Sequence, residues 1–411
     1  MRAYVESYGC TLNKGEADEI RRVLASKGWL LTEDHREADL AVIATCIVVE
    51  STERRMFRRV KELTHVPRLI ITGCLPTGLP EAARAAAPLA TFVPPGDVQT
   101  FIDLVETVGP SVANAVKPEG YAIVPLAKGC SGDCSYCITR LARGGLKSRS
   151  SGQIIDSVSS LSRSGPLEIR LTSQDNAVYG ADTGGDLVTL LRDICAVDAD
   201  FRLRIGMMNP GSALRLGHGL VEAFRDRRVF RFAHLPVQSG SDRLLAEMNR
   251  DYSVDDFERV VDRLRSGLPD LTLSTDIIAG YPSETESDHE SNLELIRRVR
   301  PDIVNVTRFS PRPRTRAASA GPRVVGWMTK ERSRELTRLR FELALARNER
   351  LVGSRFRALA TERGKGLSTI LRTDAYKQVV VQRTLPLRRY YDVAITAATP
   401  TYLLGERVED G

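Results

Sequence analysis

A chain of 411 residues that is 42% hydrophobic and carries a net charge of +7 has the length for two or three domains, each with a core of its own. The seven cysteines are an odd count and Met1 opens no signal-peptide pattern, which argues against a disulfide-stapled secreted fold. No apolar run approaches the roughly 18 residues of a membrane span, so the chain is expected to be soluble, cytoplasmic and reduced, and its basic balance points to a polyanionic partner.

In the N-terminal third, residues 3–7 alternate like a strand and end at Tyr8-Gly9-Cys10. A helix over roughly 14–27 places Ile20, Val23 and Leu24 on one face. Residues 39–44 read as a buried strand ending at Thr45-Cys46, 51–61 as a helix, and 69–72 as a strand ending at Gly73-Cys74. Each of three successive βα units thus carries one cysteine just past its strand. In a parallel sheet those ends share the carboxyl edge, where open α/β sheets bind ligands, so Cys10, Cys46 and Cys74 are expected to meet in space. Three unrelated core cysteines are the alternative. The regularity, with Gly before two of the three, favours a three-cysteine iron–sulfur site. No His lies near any of them to act as a base, which weakens a catalytic-thiol reading.

From about 121 to 310 the chain repeats βα units. The strand 122–125 feeds Cys130-Ser-Gly-Asp-Cys134-Ser-Tyr-Cys137. Three thiolates from one loop can ligate three irons of a 4Fe–4S cubane. With no fourth cysteine nearby, one iron stays open to a non-protein ligand. A structural zinc site is the alternative, but such sites usually pair two C-x2-C knuckles, and no His is close. The spacing resembles the signature of radical S-adenosylmethionine (SAM) enzymes, in which SAM chelates the open iron. Further strands at 168–172, 202–205, 229–235, 272–278 and 303–309 alternate with helices at 154–162, 187–194, 242–248, 254–264 and 285–299, implying a partial (β/α) barrel of six strands. Active-site residues are then expected at the strand carboxyl ends, where Gln174, Asp175, Asn209, Gln238 and Asp276 fall. Each of these can also be a plain turn or cap residue. Cys195 reads as a core or capping residue.

Residues 310–316 close the barrel, and 328–350 form a long charged helix with Leu336, Leu339, Leu343 and Ala346 on one stripe. Between Arg355 and Arg389, nine Lys or Arg stand against two Asp or Glu, in a segment that alternates as strands near 376–382 and 391–395. A small basic β-domain of this kind suits contact with an RNA backbone, with Phe356 and Tyr390 as candidates to stack on bases. A solvated basic surface is the alternative.

Taken together, Ser7-Tyr-Gly-Cys10-Thr-Leu-Asn13, Thr45-Cys46, Gly73-Cys74, the C-x3-C-x2-C loop, Leu235-Pro-Val-Gln-Ser-Gly-Ser-Asp242, Thr275-Asp-Ile-Ile278, Pro282-Ser-Glu-Thr285 and Phe309-Ser-Pro-Arg-Pro313 resemble the radical SAM methylthiotransferases over nearly the whole chain. The resemblance implies an α/β fold with three domains: residues 1–112, an N-terminal parallel α/β domain; 118–350, a partial (β/α)6 radical SAM barrel; and 351–411, a small TRAM-like β-barrel that binds RNA. It implies two 4Fe–4S clusters, an auxiliary one on Cys10, Cys46 and Cys74 and a catalytic one on Cys130, Cys134 and Cys137, with SAM as second cofactor. By analogy Tyr136, Gln174, Asp175, Asn209, Gln238 and Arg143 are expected at the cofactors, with Arg143 and Arg149 able to meet a SAM carboxylate or an RNA phosphate. The run Ile138-Thr-Arg-Leu-Ala-Arg-Gly-Gly-Leu-Lys-Ser148 and Gly206-Met-Met-Asn-Pro210 resemble the archaeal and eukaryotic branch that acts on N6-threonylcarbamoyladenosine. The Pro-Tyr-Thr-Arg-Gly run of the bacterial isopentenyladenosine branch is absent, and Arg314 stands where the family usually has Gly. The implied activity is insertion of a methylthio group at C2 of that nucleoside next to the anticodon (position 37). Isopentenyladenosine in tRNA or a ribosomal-protein aspartate is the alternative substrate, and a non-enzymatic iron–sulfur or RNA-binding module the alternative class. The implied partners are a tRNA anticodon stem-loop and an electron donor such as ferredoxin or flavodoxin, with neither membrane nor DNA.

Overall fold

The computed structural model describes residues 1–112, 118–163 and 165–408. The expected boundary after residue 112 runs into 113–117, and the last expected domain into 409–411, both outside the described residues. The first sheet is all parallel, in the order β2-β1-β3-β4-β5, from β1 (Arg2–Ser7), β2 (Leu30–Thr32), β3 (Leu40–Thr45), β4 (Arg68–Gly73) and β5 (Thr91–Phe92). β3 is buried along its whole length, as a central parallel strand covered on both faces must be, and its run Leu-Ala-Val-Ile-Ala carries no polar alternation. Helix α1 (Thr11–Ser26) gives Ile20 and Leu24 to one face of the sheet, and α2 (Glu50–Glu62) gives Met56 and Val60 to the other. The edge strands β2 and β5 were not expected from the sequence. At three and two residues they are too short to show a period.

The second unit comprises two parallel three-stranded sheets. One has the order β10-β9-β6, from β6 (Tyr121–Pro125), β9 (Leu167–Thr172) and β10 (Phe201–Ile205). The other has the order β11-β12-β13, from β11 (Phe232–His234), β12 (Thr272–Ala279) and β13 (Ile303–Arg308). A short hairpin of β7 (Ala127–Lys128) and β8 (Lys147–Ser148) brackets the cysteine loop. The two sheets meet where Leu203 bridges Val229, Phe230 N–H donates to Leu203 O (2.9 Å) and Met208 N–H to His234 O (2.9 Å). Six parallel strands thus form one open arc, the partial (β/α)6 barrel expected from the sequence. The strand expected at 229–235 shortens to three residues because Phe232 N–H turns back to Phe230 O (2.8 Å) and leaves the ladder there. The helical segment Pro210–Arg225 was also not expected. Its apolar period is interrupted by Gly211, Gly217 and Gly219, and the helix breaks at Gly217 (φ 62°, ψ −140°).

The helix Gly326–Glu349 lays Leu336, Leu339 and Leu343 on the barrel core. Beyond it β14 (Arg355–Arg363), β15 (Thr369–Arg372), β16 (Gln378–Val381), β17 (Tyr390–Ala398) and β18 (Leu403–Arg407) close into a barrel of order β14-β15-β16-β18-β17. Ala358, Leu371, Val379, Val393, Ile395 and Leu403 fill it. It docks through Arg170–Glu362 (2.7 Å), Lys377–Asp302 (2.7 Å) and the Tyr376 ring, packed against Phe230 and Phe232. The two aromatics expected to stack on bases have other partners. Phe356 packs on the barrel's own core, and Tyr390 lies under Arg357 and against the Phe230 cluster. Among the described residues no helix is long and apolar enough to cross a membrane.

Candidate active site

β1, β3 and β4 are neighbours in the first sheet, so the loops after them lie side by side at its carboxyl edge. They carry Cys10, Cys46 and Cys74. Two glycines are dictated by the closeness of these loops. Gly9 has φ 93°, and a Cβ there would lie 2.3 Å from Cys46 Cβ; Gly73 has φ 83°, and a Cβ would lie 2.4 Å from Thr45 O. Asn13, fully buried in the first turn of α1, donates from Nδ2 to Tyr8 O and Thr45 O, both at 2.7 Å, and clamps the first two loops together. Thr45 Oγ1 donates to Thr72 O and accepts from Leu75 N–H (3.1 Å), which ties in the third.

The loop of Cys130, Cys134 and Cys137 is pinned through its backbone. Ser135 N–H donates to Met248 O (3.0 Å), Ser135 Oγ to Glu247 O (2.9 Å), and Cys137 N–H to Cys134 O (3.2 Å). Donors aim at the sulfurs: Gly132 N–H at Cys130 Sγ (3.3 Å), Thr139 N–H at Cys137 Sγ (3.4 Å) and Arg250 Nη1 at Cys134 Sγ (2.9 Å). Hydrogen bonds to ligating sulfurs and the charge near them are the levers by which a protein tunes an iron–sulfur potential.

All six cysteines line one cavity of about 800 Å³ between the N-terminal sheet and the barrel mouth. Among the described residues no three His, Cys, Asp or Glu side chains converge on a single-ion position. A cubane has its irons at separate corners, so its thiols need not converge on one ion; within each triad the thiols lie near enough to act on one another electrostatically. Burial pushes Cys74 up to about 12, opposed by the charge and hydrogen bond of Arg143, and pushes Cys130 up to about 11, opposed by Gly132 N–H. Burial also raises Cys46 and Cys137. Thiols in this environment become thiolates only with a cation against them, which iron ligation supplies.

Tyr136, Gln174, Asp175, Asn209, Gln238 and Arg143 all line this cavity. Gln174 Oε1 and Ser173 Oγ are buried with no partner among the described residues, so both are open to a bound molecule. Asp175 accepts from Ala177 and Asn209 N–H (both 3.0 Å), while burial raises its carboxyl. Asn209 Oδ1 accepts from Gly211 N–H (2.8 Å) as a helix cap. Gln238 sits at φ 73°, a left-handed conformation rare for a non-glycine, and pairs by its backbone with Asp276 and Ile278. Arg143 is placed differently from a free SAM or phosphate contact. It is buried, donates Nε to Cys74 Sγ (3.3 Å), is paired with Glu16 (2.6 and 2.9 Å) and bonds Asn13 Oδ1. Arg149 does not line the cavity; it reaches Pro125 O (3.3 Å) and Glu19 (3.8 Å). Asp276 holds His234 (3.0 Å) and Asn305 (2.7 Å).

Sequence reasoning missed Arg250, Arg204 and the Asn13–Glu16–Arg143 network. The chain has many arginines, and only the fold brings Arg250 and Arg143 against sulfur and Arg204 over the Phe232 ring. Arg314, where the resemblance expects Gly, has φ 63° and donates to Gly78 O, so it spans from the barrel's closing segment to the N-terminal unit. Arg312 and Glu53 form a second such link.

A partial (β/α) barrel with a three-cysteine loop at its carboxyl face defines the class. Residues 124–296 match the Radical SAM superfamily, and residues 2–94 match the family described as Uncharacterized protein family UPF0004. The fold is shared with the radical S-adenosylmethionine methyltransferase TsrM from Kitasatospora setae, at TM-score 0.58 and 14% identity over 77% of each chain. A protein of Pyrococcus horikoshii named "Probable threonylcarbamoyladenosine tRNA methylthiotransferase" is 36% identical over 99% of both chains. The threonylcarbamoyladenosine tRNA methylthiotransferase of Drosophila melanogaster is 30% identical over all of this chain and 78% of its own. A tRNA-2-methylthio-N(6)-dimethylallyladenosine synthase of Caldicellulosiruptor saccharolyticus is 32% identical over 85% of this chain and 80% of its own. The chain belongs to the threonylcarbamoyladenosine tRNA methylthiotransferase family.

Proposed function

We propose that this protein is a radical SAM methylthiotransferase that replaces the C2 hydrogen of N6-threonylcarbamoyladenosine, next to the anticodon of tRNA, with a methylthio group. The observation that carries this reading is the convergence of six cysteines, from two separate units of the chain, on one cavity at the barrel mouth. The C2–H bond of an adenine is strong and unactivated, and the 4Fe–4S clusters and SAM, when bound, supply the radical and sulfur chemistry its replacement needs. Cys130, Cys134 and Cys137 would hold the catalytic cluster beside SAM, and Cys10, Cys46 and Cys74 would hold the auxiliary cluster.

What the chain itself contributes is placement. Asn13 and Thr45 lock the three strand-end loops together, and Arg143 ties them to the helix Thr139–Arg143 that follows the catalytic loop, fixing one triad against the other. Gln174, Asp175, Asn209 and Gln238 surround the space between them and orient SAM and the base. Residues 1–112, 118–350 and 351–411 act as the auxiliary, catalytic and RNA-binding units. The partners are the anticodon stem-loop and a one-electron donor of the ferredoxin or flavodoxin kind, and the work is cytoplasmic.

The test is nucleoside mass spectrometry. Reconstituted enzyme, SAM and dithionite are incubated with tRNA carrying threonylcarbamoyladenosine and, separately, isopentenyladenosine. A methylthio mass gain on the first alone is expected. A gain on the second alone, or on neither while SAM is still cleaved, overturns the substrate.

A further inference from the structure

The cavity of the six cysteines adjoins a second one of about 470 Å³, enclosed by the inner face of the barrel, the helix Gly326–Glu349 and the C-terminal barrel. Thr11, Arg204 and His234 line both. Arg204 stands on β10, where Phe201, Leu203 and Ile205 face the core and Arg202 and Arg204 face the opposite way. Its guanidinium lies over the Phe232 ring, 4.9 Å from the centroid. Among the described residues it makes no hydrogen bond and no ion pair.

Four carboxylates of this region are committed elsewhere. Glu168 is held by Arg170 (2.6 Å) and Tyr376, and Glu362 by Arg170 (2.7 Å) and Arg372 (3.2 Å). Asp276 is held by His234 (3.0 Å) and Asn305 (2.7 Å), and Asp302 by Lys377 (2.7 Å) and Arg347 (3.0 Å). Burial, with the like charges of Arg170 and Arg372, outweighs the favourable fields of Tyr376 and Glu168 and disfavours the Arg204 cation, yet a guanidinium keeps its proton. Arg204 is half-buried, and a partly desolvated cation without a counter-ion on a cavity wall favours an anion beside it. Thr272 Oγ1, on a residue only 2% exposed, also lacks a partner and lines the same second cavity.

We propose that Arg204 binds the carboxylate of the threonyl group on the substrate's N6 and thereby selects the N6 substituent. This rests on the function proposed above. C2 and the N6-bearing C6 flank N1 on the same six-membered ring of adenine, so a base that turns C2 to the cysteines carries its N6 chain sideways along the wall, toward the second cavity. There the Arg204 fork meets the carboxylate in the planar geometry it favours, and Thr272 offers a hydroxyl to the polar chain. A dimethylallyl group in the same place would cover the half-buried guanidinium and leave it unpaired, which disfavours that substrate.

The experiment uses reconstituted enzyme and two anticodon stem-loops, one carrying threonylcarbamoyladenosine and one carrying the same nucleoside with its carboxylate amidated. Amidation is expected to lower kcat/KM of the wild type by about 10- to 100-fold, the range for a charged hydrogen bond. Arg204→Met is expected to lose a similar factor on the natural substrate and to be indifferent to amidation, with Arg204→Lys between the two. KM for SAM stays unchanged. In direct binding by fluorescence anisotropy, the wild type prefers the carboxylate-bearing stem-loop and Arg204→Met has no preference. An equal amidation penalty in wild type and Arg204→Met overturns the proposal. So does a raised KM for SAM with intact discrimination, which would put the methionine carboxylate on Arg204. A wild type that leaves threonylcarbamoyladenosine unmodified overturns the function, and with it the assignment.

Discussion

Cys130, Cys134 and Cys137 come from one short loop, while Cys10, Cys46 and Cys74 come from three strand ends far apart in the chain. The local triad needs only its loop conformation, held by backbone bonds such as Ser135 N–H to Met248 O. The remote triad depends on sheet register. A one-residue slip between β1, β3 and β4 would shift one cysteine along the edge and turn alternate side chains to the other face. Accordingly the remote triad carries the heavier scaffolding: Gly9 and Gly73 at positive φ, the Asn13 clamp and the buried Arg143–Glu16 pair. Proximity along the chain substitutes for tertiary bracing, and where it is lacking the fold must supply it.

The largest effects separate the two sites by chemistry. Cys134→Ala is expected to abolish both 5′-deoxyadenosine release and methylthio transfer, read by chromatography and nucleoside mass spectrometry. Cys46→Ala is expected to abolish methylthio transfer while SAM cleavage continues. In each variant iron falls from about eight to about four per chain; eight irons retained in Cys46→Ala would remove the auxiliary cluster from the account. Next comes the bracing between them. Glu16→Gln leaves Arg143 without its counter-charge in a site where Arg143 and Glu16 side chains are 1% and 7% exposed. The expected loss is about 3 kcal/mol in anaerobic denaturant unfolding, with the auxiliary irons released first. Gly73→Ala forces a Cβ against Thr45 O at positive φ and is expected to cost about 1–3 kcal/mol, lowering auxiliary iron occupancy but not that of the Cys130 loop. An equal loss from both sites would mean that they are not braced separately. The smallest effect is expected from Asp374→Asn, which breaks the Arg202–Asp374 contact at the docked C-terminal barrel. Asp374 is 57% exposed, so the change in melting free energy is expected to stay below about 1 kcal/mol.

Local pattern was enough to read the catalytic loop, the alternation of strands and helices, and the strand-end position of the other three cysteines, because each is a property of neighbouring residues. It also indicated a basic β-domain at the C-terminus, through charge and alternation. It could not show β2 and β5, whose edge pairing is decided by the strands beside them, or the helix Pro210–Arg225, whose glycines hide its period. It suggested Arg143 for SAM or RNA, whereas packing turns that side chain onto Cys74, Asn13 and Glu16. It suggested Phe356 and Tyr390 for base stacking, whereas the fold packs both against protein. Sequence by itself determined which ligands are present and roughly which edge they occupy, since ligand chemistry and strand period are local. Tertiary structure alone decided that both triads share one cavity and that Arg204, on the wall of two cavities, meets no carboxylate among the described residues, because pairing and burial depend on what distant segments bring into contact.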